Sequence, residues 1–346
     1  MNAARQYIFD EPFFLQWHIT GACNQSCSHC YRGTAASADL PFESLLIILD
    51  GFTALLASIG RPGRIQFTGG EPFLSPHLFA LINRATSRGI STRILSNGTC
   101  ITNDHHAQLK ATKCDTVQVS IDGTEQAHDG VRGSGSWRAA WDGVARLRAA
   151  GFTVTINMTL SRANAADVRA VGERAASCAH RFAAGRLVPA GKAAANDMLD
   201  PAGLRACFDA IHAVKRRHRS LDVPLRDPVW HEYLRVSPAR YPHAVHGCSA
   251  GYNGLAIEAD GTVYPCRRLP ISLGNALETP LTDLWRTAPL LALLRDRDAL
   301  TGSCGKCPRR WLCGGCRGIA WAVSNDCTAE DPQCFRQTGL RRWLPW

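Results

Sequence analysis

The first two thirds of the chain alternate short apolar runs with longer stretches of helical periodicity. Helical patterns cover 41–56, 77–88, 137–150 and 163–178. The apolar runs predict strands that begin at Phe13, Arg64, Ser91, Thr116, Thr153 and Phe182. Such alternation predicts an α/β fold with a parallel sheet and right-handed crossovers. Six units are too few for a closed eight-stranded barrel, so we expect a partial (β/α)6 barrel whose site lies at the carboxyl ends of the strands.

The pattern changes after residue 199. Residues 200–246 hold one helical stretch and then a segment rich in proline and aromatic residues, whereas residues 247–346 are dense in glycine and cysteine. We therefore expect a barrel over 12–199, a bridging region over 200–246 and a small Cys-rich α+β domain over 247–346. The last segment lacks the apolar periodicity for a core of its own, so bound metal would organise it.

Composition and charge narrow the class of protein. No run approaches the ~20 apolar residues that span a bilayer, and Asp10 and Glu11 interrupt any signal sequence. We therefore expect a cytoplasmic protein with no membrane contact. The net charge of +10 is scattered, and its densest run, 215–219, ends a helical pattern, where cations are favourable. Nucleic acid is thus not the expected partner; an acidic reductant such as ferredoxin or flavodoxin fits better.

Cysteines carry the strongest chemical signal. Fifteen of them in a cytosolic chain favour metal over disulfides. Cys23, Cys27 and Cys30 follow the first predicted strand with spacings of three and two residues. A 4Fe-4S cluster normally takes four thiolates, so three would leave one iron open for catalysis. A redox CxxC pair would not need the third cysteine, and zinc would need a fourth ligand, for which only His18 and His29 are nearby.

Five further motifs stand at predicted strand ends. CNQSCSHCY resembles the CxxxCxxC-aromatic signature of the radical S-adenosyl-L-methionine (SAM) superfamily. Its other motifs are matched in order by Thr68-Gly69-Gly70-Glu71-Pro72, Leu95-Ser96-Asn97-Gly98, Ser120-Ile121-Asp122-Gly123, Arg132, and Arg186 to Lys192 with Val188 and Pro189. Each alone would be ordinary turn chemistry; the ordered set indicates the family.

The resemblance implies roles for these residues. The backbone of Gly69 and Gly70 would hold the amino group of SAM, since glycine permits close approach, and Glu71 would offer a carboxylate to a nearby cation. The motif that contains Asp122 would lie near the ribose, and Tyr31 would pack on the adenine or cover the cluster. In the family, one electron cleaves SAM to a 5′-deoxyadenosyl radical that removes a hydrogen atom from substrate. The protein positions the reactants and excludes water.

The C-terminal cysteines resemble the SPASM extension, which carries auxiliary 4Fe-4S clusters. They depart from its pattern because Cys313 and Cys316 are separated by two residues instead of three, as in a haem-maturation and peptide-modifying subgroup. The resemblance assigns one cluster to Cys248, Cys266 and Cys316, and another to Cys304, Cys307, Cys313 and Cys334. The first is completed by Cys327, is open, or is absent. Two zinc knuckles are the alternative.

Four cysteines remain. Cys114, Cys178 and Cys207 are expected to act as small buried hydrophobes. Cys100 follows the third strand at the active end and is a candidate hydrogen-atom donor. On the first strand, either Trp17 or His18 should face the barrel interior because strand side chains alternate, although core packing suits both.

Relatives in the SPASM subgroup mostly modify peptides by thioether formation, C–C crosslinking, oxidation or epimerisation. We therefore predict post-translational modification of a ribosomally made peptide. The chain begins about twelve residues before the first strand, which leaves no room for an N-terminal peptide-binding domain, so a separate protein would deliver the peptide or it would bind directly. A small-molecule or tetrapyrrole enzyme of haem-maturation type is the alternative, and a non-catalytic zinc-binding protein is the second alternative.

Overall fold

The computed structural model describes residues 6–7, 12–32, 39–114, 116–240 and 244–338. The strands are β1 (Gln6–Tyr7), β2 (Phe13–His18), β3 (Gly63–Thr68), β4 (Ser91–Ser96), β5 (Thr116–Ser120), β6 (Thr153–Leu160), β7 (Arg181–Arg186), β8 (Ala244–Val245), β9 (Gly254–Ile257), β10 (Thr262–Tyr264) and β11 (Gly274–Asn275). The helices are α1 (Phe42–Ile59), α2 (Leu78–Ser87), α3 (Asn103–Ala111), α4 (Glu125–Arg132), α5 (Ser136–Ala149), α6 (Val168–Cys178), α7 (Pro201–Arg217), α8 (Trp230–Tyr233), α9 (Leu281–Thr287), α10 (Pro289–Arg295), α11 (Gly302–Gly305) and α12 (Arg317–Ser324).

Strands β2 to β7 lie side by side in chain order, and every neighbouring pair is parallel. This confirms the α/β fold and the six-unit partial barrel. Helices α3 and α4 were not predicted from the pattern. Leu109 is the one buried residue of α3, and His128 is the one buried residue of α4. Neither helix therefore carries the apolar stripe by which a helix is recognised in sequence.

Helix α1 covers one face of the sheet. It is the one helix among the described residues that is long and apolar enough to cross a membrane, with a mean hydropathy of 1.8 over its 18 residues. Its buried side chains pack in the main core, whereas Glu43 and Asp50 are exposed and Asp50 pairs with Arg88. This two-faced distribution is that of a helix packed on a sheet.

The C-terminal segment extends the barrel sheet. Strand β9 pairs in parallel with β2, with Phe14 opposite Gly254, and the sheet order is β11-β10-β9-β2-β3-β4-β5-β6-β7. Leu255, Ile257 and Val263 are buried in the same core as the barrel residues. Burial of each such side chain contributes about 1.5–3 kcal/mol. The segment thus shares the core of the barrel, in addition to any organisation by the expected metal.

A buried ion cluster joins the barrel to the later regions. Arg186, at the end of β7, donates from Nε to Asp227 at 2.7 Å and from both terminal nitrogens to Asp331 at 2.9 Å. It also donates to Gln333 at 3.1 Å. All these side chains are at least nine-tenths buried. One guanidinium thus connects the barrel, the bridging region and the Cys-rich segment, and each partner is satisfied, as a buried charge requires.

Candidate active site

A pocket of about 380 Å³ opens at the carboxyl ends of the six parallel strands. This is the edge at which an α/β sheet is expected to bind ligands. Loops after all six strands contribute to its walls: Cys23, Cys27, Cys30 and Tyr31 after β2, Gly69 and Gly70 after β3, Ser96 and Asn97 at β4, Ser120 at β5, Thr159 on β6, and Arg186 and Val188 at β7. Arg132 also lines it. The predicted motifs are therefore brought to one place.

The segment after β2 that carries Cys23, Cys27 and Cys30, here called the cysteine loop, is held from two sides. The Ser28 N–H donates to the Val131 carbonyl at 2.9 Å, and the Lys192 N–H donates to the Cys30 carbonyl at 2.9 Å. Burial raises the pKa of Cys27, although the guanidinium of Arg132, 3.9 Å from its sulfur, opposes the shift. A thiol of raised pKa is protonated at neutral pH, so metal binding at this loop would release protons.

Gly70 shows how closely the second motif approaches the cysteine loop. A Cβ placed on Gly70 would lie 2.1 Å from the Ala22 carbonyl oxygen and 2.8 Å from Cβ of Cys23. The Gly70 N–H donates to the Thr20 carbonyl at 2.9 Å. Only glycine fits this contact, and the bare backbone beside three thiols forms the cradle that a SAM-binding cluster needs.

Glu71 has a structural role that the sequence did not reveal. It is fully buried and accepts hydrogen bonds from the Ser96 hydroxyl at 2.8 Å and the Asn97 N–H at 2.7 Å. Burial raises its pKa to about 7, although these hydrogen bonds oppose the shift. The expected cation is absent among its partners in the described residues, and Glu71 does not line the pocket. It instead fixes the loop after β4 against the loop after β3.

Asp122 likewise acts from behind the pocket wall and does not face the space where the ribose was expected. It is fully buried and accepts from Arg132 Nε at 2.6 Å, from the Thr159 N–H at 2.7 Å, and contacts His29 Nε2 at 2.8 Å. Burial would raise its pKa, but Arg132 and His29 outweigh burial and hold the pKa well below its usual range. The Asp122 carboxylate thus holds the side chains of Arg132 and His29 in place, and both of these line the pocket.

Tyr31 belongs to a buried chain of hydrogen bonds. Its hydroxyl lies 3.1 Å from His18 Nε2, and His18 Nδ1 lies 3.2 Å from Glu258 of the C-terminal segment. Burial lowers the pKa of His18, so the imidazole is neutral. Burial would raise the pKa of Glu258, but His18 and Arg32 hold it below its usual value. An ionised carboxylate only accepts, so Nδ1 carries the proton and the Tyr31 hydroxyl donates to Nε2.

One C-terminal set of cysteines surrounds a second, smaller cavity. Its walls include Cys304, Cys307, Cys313 and Cys334, the four residues assigned to one auxiliary cluster. Backbone N–H groups of Asp331, Gly315 and Arg309 donate at 3.4 Å to the sulfurs of Cys304, Cys313 and Cys307, respectively. Donors aimed at sulfur are a feature of protein sites that hold and tune iron–sulfur clusters. The donor set therefore fits the expected group.

Three cysteines that were considered for the other auxiliary cluster share one apolar surrounding. Cys248, Cys266 and Cys327 pack against one small apolar cluster that includes Leu269 and Leu291. Burial raises the pKa of Cys316 to about 12; Arg186 opposes this shift and the charge of Cys248 adds to it. Cys316 packs in a different small apolar cluster, with Leu187, Val188 and Ile319. Completion of the first auxiliary cluster by Cys327 stays a prediction.

A zinc ion and a 4Fe-4S cluster make different demands on the cysteine sets. Among the described residues, no three Cys, His, Asp or Glu side chains are arranged to hold a single metal ion. Zinc would need four ligands at about 2.0–2.3 Å from one centre. Thiolates around a 4Fe-4S cluster lie farther apart because irons and sulfides fill the space between them. The backbone N–H groups that donate to the sulfurs of Cys304, Cys307 and Cys313 are the feature of these sets that fits clusters.

Several predicted site residues lie outside the pocket. Cys100 packs beside the main core, so the structure does not bring this proposed hydrogen-atom donor to the site. Pro72 begins a 3-10 turn and is buried, and neither it nor Pro189 lines the pocket. Trp17 is buried in the core, as expected.

Some pocket residues were missed by sequence reasoning. Arg267 and Arg268 reach the pocket from the C-terminal segment, and no local pattern marks them. Gln16, Gln118 and Asn157 also line it. Each of these three interrupts an apolar strand with a polar residue, and the period-2 alternation of strands would have found them.

Comparison with known proteins agrees with this geometry. Residues 17–174 match the radical SAM superfamily. The chain is a member of the radical SAM superfamily. Residues 248–308 match the SPASM iron-sulfur cluster-binding domain. The cofactors are therefore SAM, a SAM-binding 4Fe-4S cluster and auxiliary iron–sulfur. A non-catalytic zinc-binding protein does not fit this membership.

Relatives of this radical SAM protein differ in their named activities. It is 31% identical to an AdoMet-dependent heme synthase of Nitratidesulfovibrio vulgaris, over 92% of this chain and 91% of the relative. It is 28% identical to the mycofactocin maturase MftC of Mycobacterium ulcerans, over 96% of this chain and 90% of the relative. Among solved structures, Streptococcus suis SuiB bound to S-adenosylmethionine superposes with a TM-score of 0.77 at 18% identity, covering 93% of this chain and 77% of SuiB. The last likeness concerns the fold alone.

Proposed function

We propose that this radical SAM enzyme acts on a tetrapyrrole and removes the carboxylate groups of its propionate side chains. The observation that carries the proposal is the charge of the pocket wall. Six cationic side chains line the pocket, and none of the described residues in its wall is Asp or Glu: the cations are Arg32, Arg132, Arg186, Lys192, Arg267 and Arg268. Such a wall favours an anionic substrate, because guanidinium groups bind carboxylates in bidentate fashion.

SAM alone does not account for this charge. At neutral pH SAM bears a sulfonium, an ammonium and one carboxylate, and so has one net positive charge itself. Three of the six cations already have carboxylate partners. Arg32 pairs with Glu258, and Arg132 pairs with Asp122. Arg186 pairs with both Asp227 and Asp331. Lys192, Arg267 and Arg268 remain, and three cations are more than the one carboxylate of SAM needs. A substrate with several carboxylates would use them, and the heme synthase relative supports a tetrapyrrole.

The proposed conversion turns a propionate side chain, –CH2CH2COO⁻, into a vinyl group, –CH=CH2. It releases CO2, one hydrogen atom and one electron, so it needs an acceptor for each of the last two. When bound, SAM and its cluster supply a carbon radical that takes a hydrogen atom from an unactivated C–H bond. The C-terminal cysteine sets would hold a second iron–sulfur group of the kind that can accept an electron. The chain's own residues bind the carboxylates and exclude water from the pocket.

A decisive experiment uses the anaerobically reconstituted enzyme with SAM, dithionite and iron coproporphyrin, which carries four propionates. We expect product masses lower by one CO2 and two hydrogen atoms for each propionic acid converted, with matching amounts of 5′-deoxyadenosine. A tetramethyl ester of the same porphyrin is the control and should not react. 5′-Deoxyadenosine without any change in porphyrin mass would contradict the proposal.

Modification of a ribosomally made peptide is the second candidate, favoured by the similarity to MftC across nearly the whole chain. A peptide with a free carboxyl terminus or acidic side chains would also suit a basic pocket. Incubation with peptides encoded beside the gene, followed by mass spectrometry, separates the two functions, since only one substrate class should change mass.

A further inference from the structure

We infer that Arg267 and Arg268 form a carboxylate-binding site for the substrate, contributed to the barrel pocket by the C-terminal segment. The identity of the substrate rests on the proposed function, whereas the positions of the two arginines do not depend on that proposal. Both residues follow Cys266 directly in sequence and line the pocket, Arg267 beside Tyr31 and Arg268 beside Gly185 of β7. We call this pair the arginine pair.

The contacts of Arg267 hold its guanidinium in place without neutralising it. Its Nη1 donates to Gln16 Oε1 at 2.8 Å, and its Cζ lies 5.9 Å from the ring centroid of Tyr31. No carboxylate pairs with Arg267 within the described part of the chain. A partly buried cation of this kind gains when an anion binds beside it.

Arg268 is positioned by a glycine. Its Nη2 lies only 2.6 Å from where a Cβ of Gly185 would stand, so the guanidinium lies directly across the backbone of β7. Its carbonyl lies 2.4 Å from a Cβ placed on Gly318. The described residues offer Arg268 no carboxylate partner either. Two guanidiniums on consecutive residues, neither with a carboxylate partner among the described residues, thus face one cavity, and carboxylate is the chemistry that both can bind.

The pair differs from the other cations of the pocket. Arg132 and Arg32 already have carboxylate partners, at 2.6 and 3.1 Å. Lys192 donates to Ser26 at 2.7 Å and so belongs to the cysteine loop. Among the described residues, Lys192 and the arginine pair are therefore the pocket cations without a carboxylate partner, and only the arginine pair places two guanidiniums side by side in sequence.

The test compares wild type with Arg267→Gln, Arg268→Gln and the double variant, all as anaerobic holoproteins. The first probe pair is iron coproporphyrin and its tetramethyl ester, titrated by the change in porphyrin absorbance. We expect the wild type to bind the free acid more tightly than the ester. Each single variant should weaken binding of the acid about 10- to 100-fold, which is the loss of a charge-assisted hydrogen bond. The ester should be little affected.

Two matched variants sharpen the result. Arg286→Gln removes the same charge from an exposed arginine of α9 that pairs with Asp283, and this variant should bind the acid as wild type does. Arg267→Lys keeps the charge but loses the planar fork, so its loss should be intermediate. Iron content is measured for every variant, because Cys266 is adjacent, and only variants with wild-type iron are compared.

The outcomes separate this inference from the proposed function. If wild type binds neither porphyrin, the proposed function fails, and a hexapeptide with a free carboxyl terminus and its C-terminal amide become the probe pair. Preference for the peptide acid that is lost in the variants would still support the arginine pair. The inference is wrong if neither pair is discriminated, if discrimination survives in the double variant, or if the variants instead lose affinity for SAM.

Discussion

The hydroxyl of Tyr31 donates to Nε2 of His18 over 3.1 Å, which joins the cysteine loop to the barrel strand that precedes it. His18 in turn faces Glu258, which follows β9 of the C-terminal segment. The cysteine loop, strand β2 and the C-terminal segment therefore meet at these three polar side chains. Removing one member of such a buried polar set leaves its neighbour without a partner.

Tyr31→Phe should destabilise the protein by about 1–3 kcal/mol, because it leaves Nε2 of a fully buried histidine without a donor. Thermal unfolding of the anaerobic protein, followed by circular dichroism, measures this. Tyr264→Phe is the control, since that half-buried tyrosine has no hydrogen-bond partner for its hydroxyl among the described residues. Equal melting temperatures for the two variants would show that the Tyr31–His18 bond does not stabilise the fold.

Arg186→Leu should have a larger effect on stability. It leaves the buried carboxylates of Asp227 and Asp331 unpaired, and breaking a buried ion pair on one side costs about 3–5 kcal/mol. Denaturant unfolding measures the loss. Arg181→Leu lies on the same strand, but its partner Asp222 is largely exposed, so it should cost at most about 1 kcal/mol. A small effect of Arg186→Leu would mean that apolar packing alone holds the C-terminal segment on the barrel.

Local patterns predicted the barrel and the cysteine sets because strands, crossovers and CxxC spacings are encoded in short segments. The functions of Glu71 and Asp122 were not predictable in this way. Their partners, Asn97 and Arg132, come from other loops, and only the closed sheet brings them together. Arg267 was missed for the same reason: it meets Gln16 from 251 residues away. Contacts between distant segments carry no local sequence signal. Gln16 differs, because a polar residue within an apolar strand is visible in the local sequence.

Replacing Cys23, Cys27 and Cys30 together by alanine should abolish 5′-deoxyadenosine formation. These residues line the pocket beside Gly69 and Gly70, whereas the other cysteine sets lie in the C-terminal segment. Iron at the C-terminal sets should therefore be retained. Product is measured by chromatography with dithionite as reductant, and iron by a colorimetric assay. Continued cleavage of SAM by the triple variant would show that another site holds the SAM-binding cluster.

Cys327→Ala should lower the iron content of the protein. Cys327 packs in the same small cluster as Cys248 and Cys266, which makes it the expected fourth thiolate. Wild type should hold about 8–12 irons per chain by the ligand count. Cys178→Ala is the matched control, because Cys178 packs against the main core, away from the three cysteine sets. Unchanged iron in Cys327→Ala would mean that the first auxiliary cluster is open or absent.

Turnover driven by flavodoxin should slow markedly as salt rises, while turnover driven by dithionite should slow little. The reason is the net charge of +10, which would accelerate encounter with an acidic protein reductant. Salt screens such an attraction over a Debye length of ~8 Å at physiological ionic strength, but it has little effect on a small reductant in large excess. Initial rates of 5′-deoxyadenosine formation at several salt concentrations, with each donor in turn, give the comparison. Equal salt sensitivity with both donors would count against electrostatic docking of the reductant and would assign the charge to substrate binding or solubility.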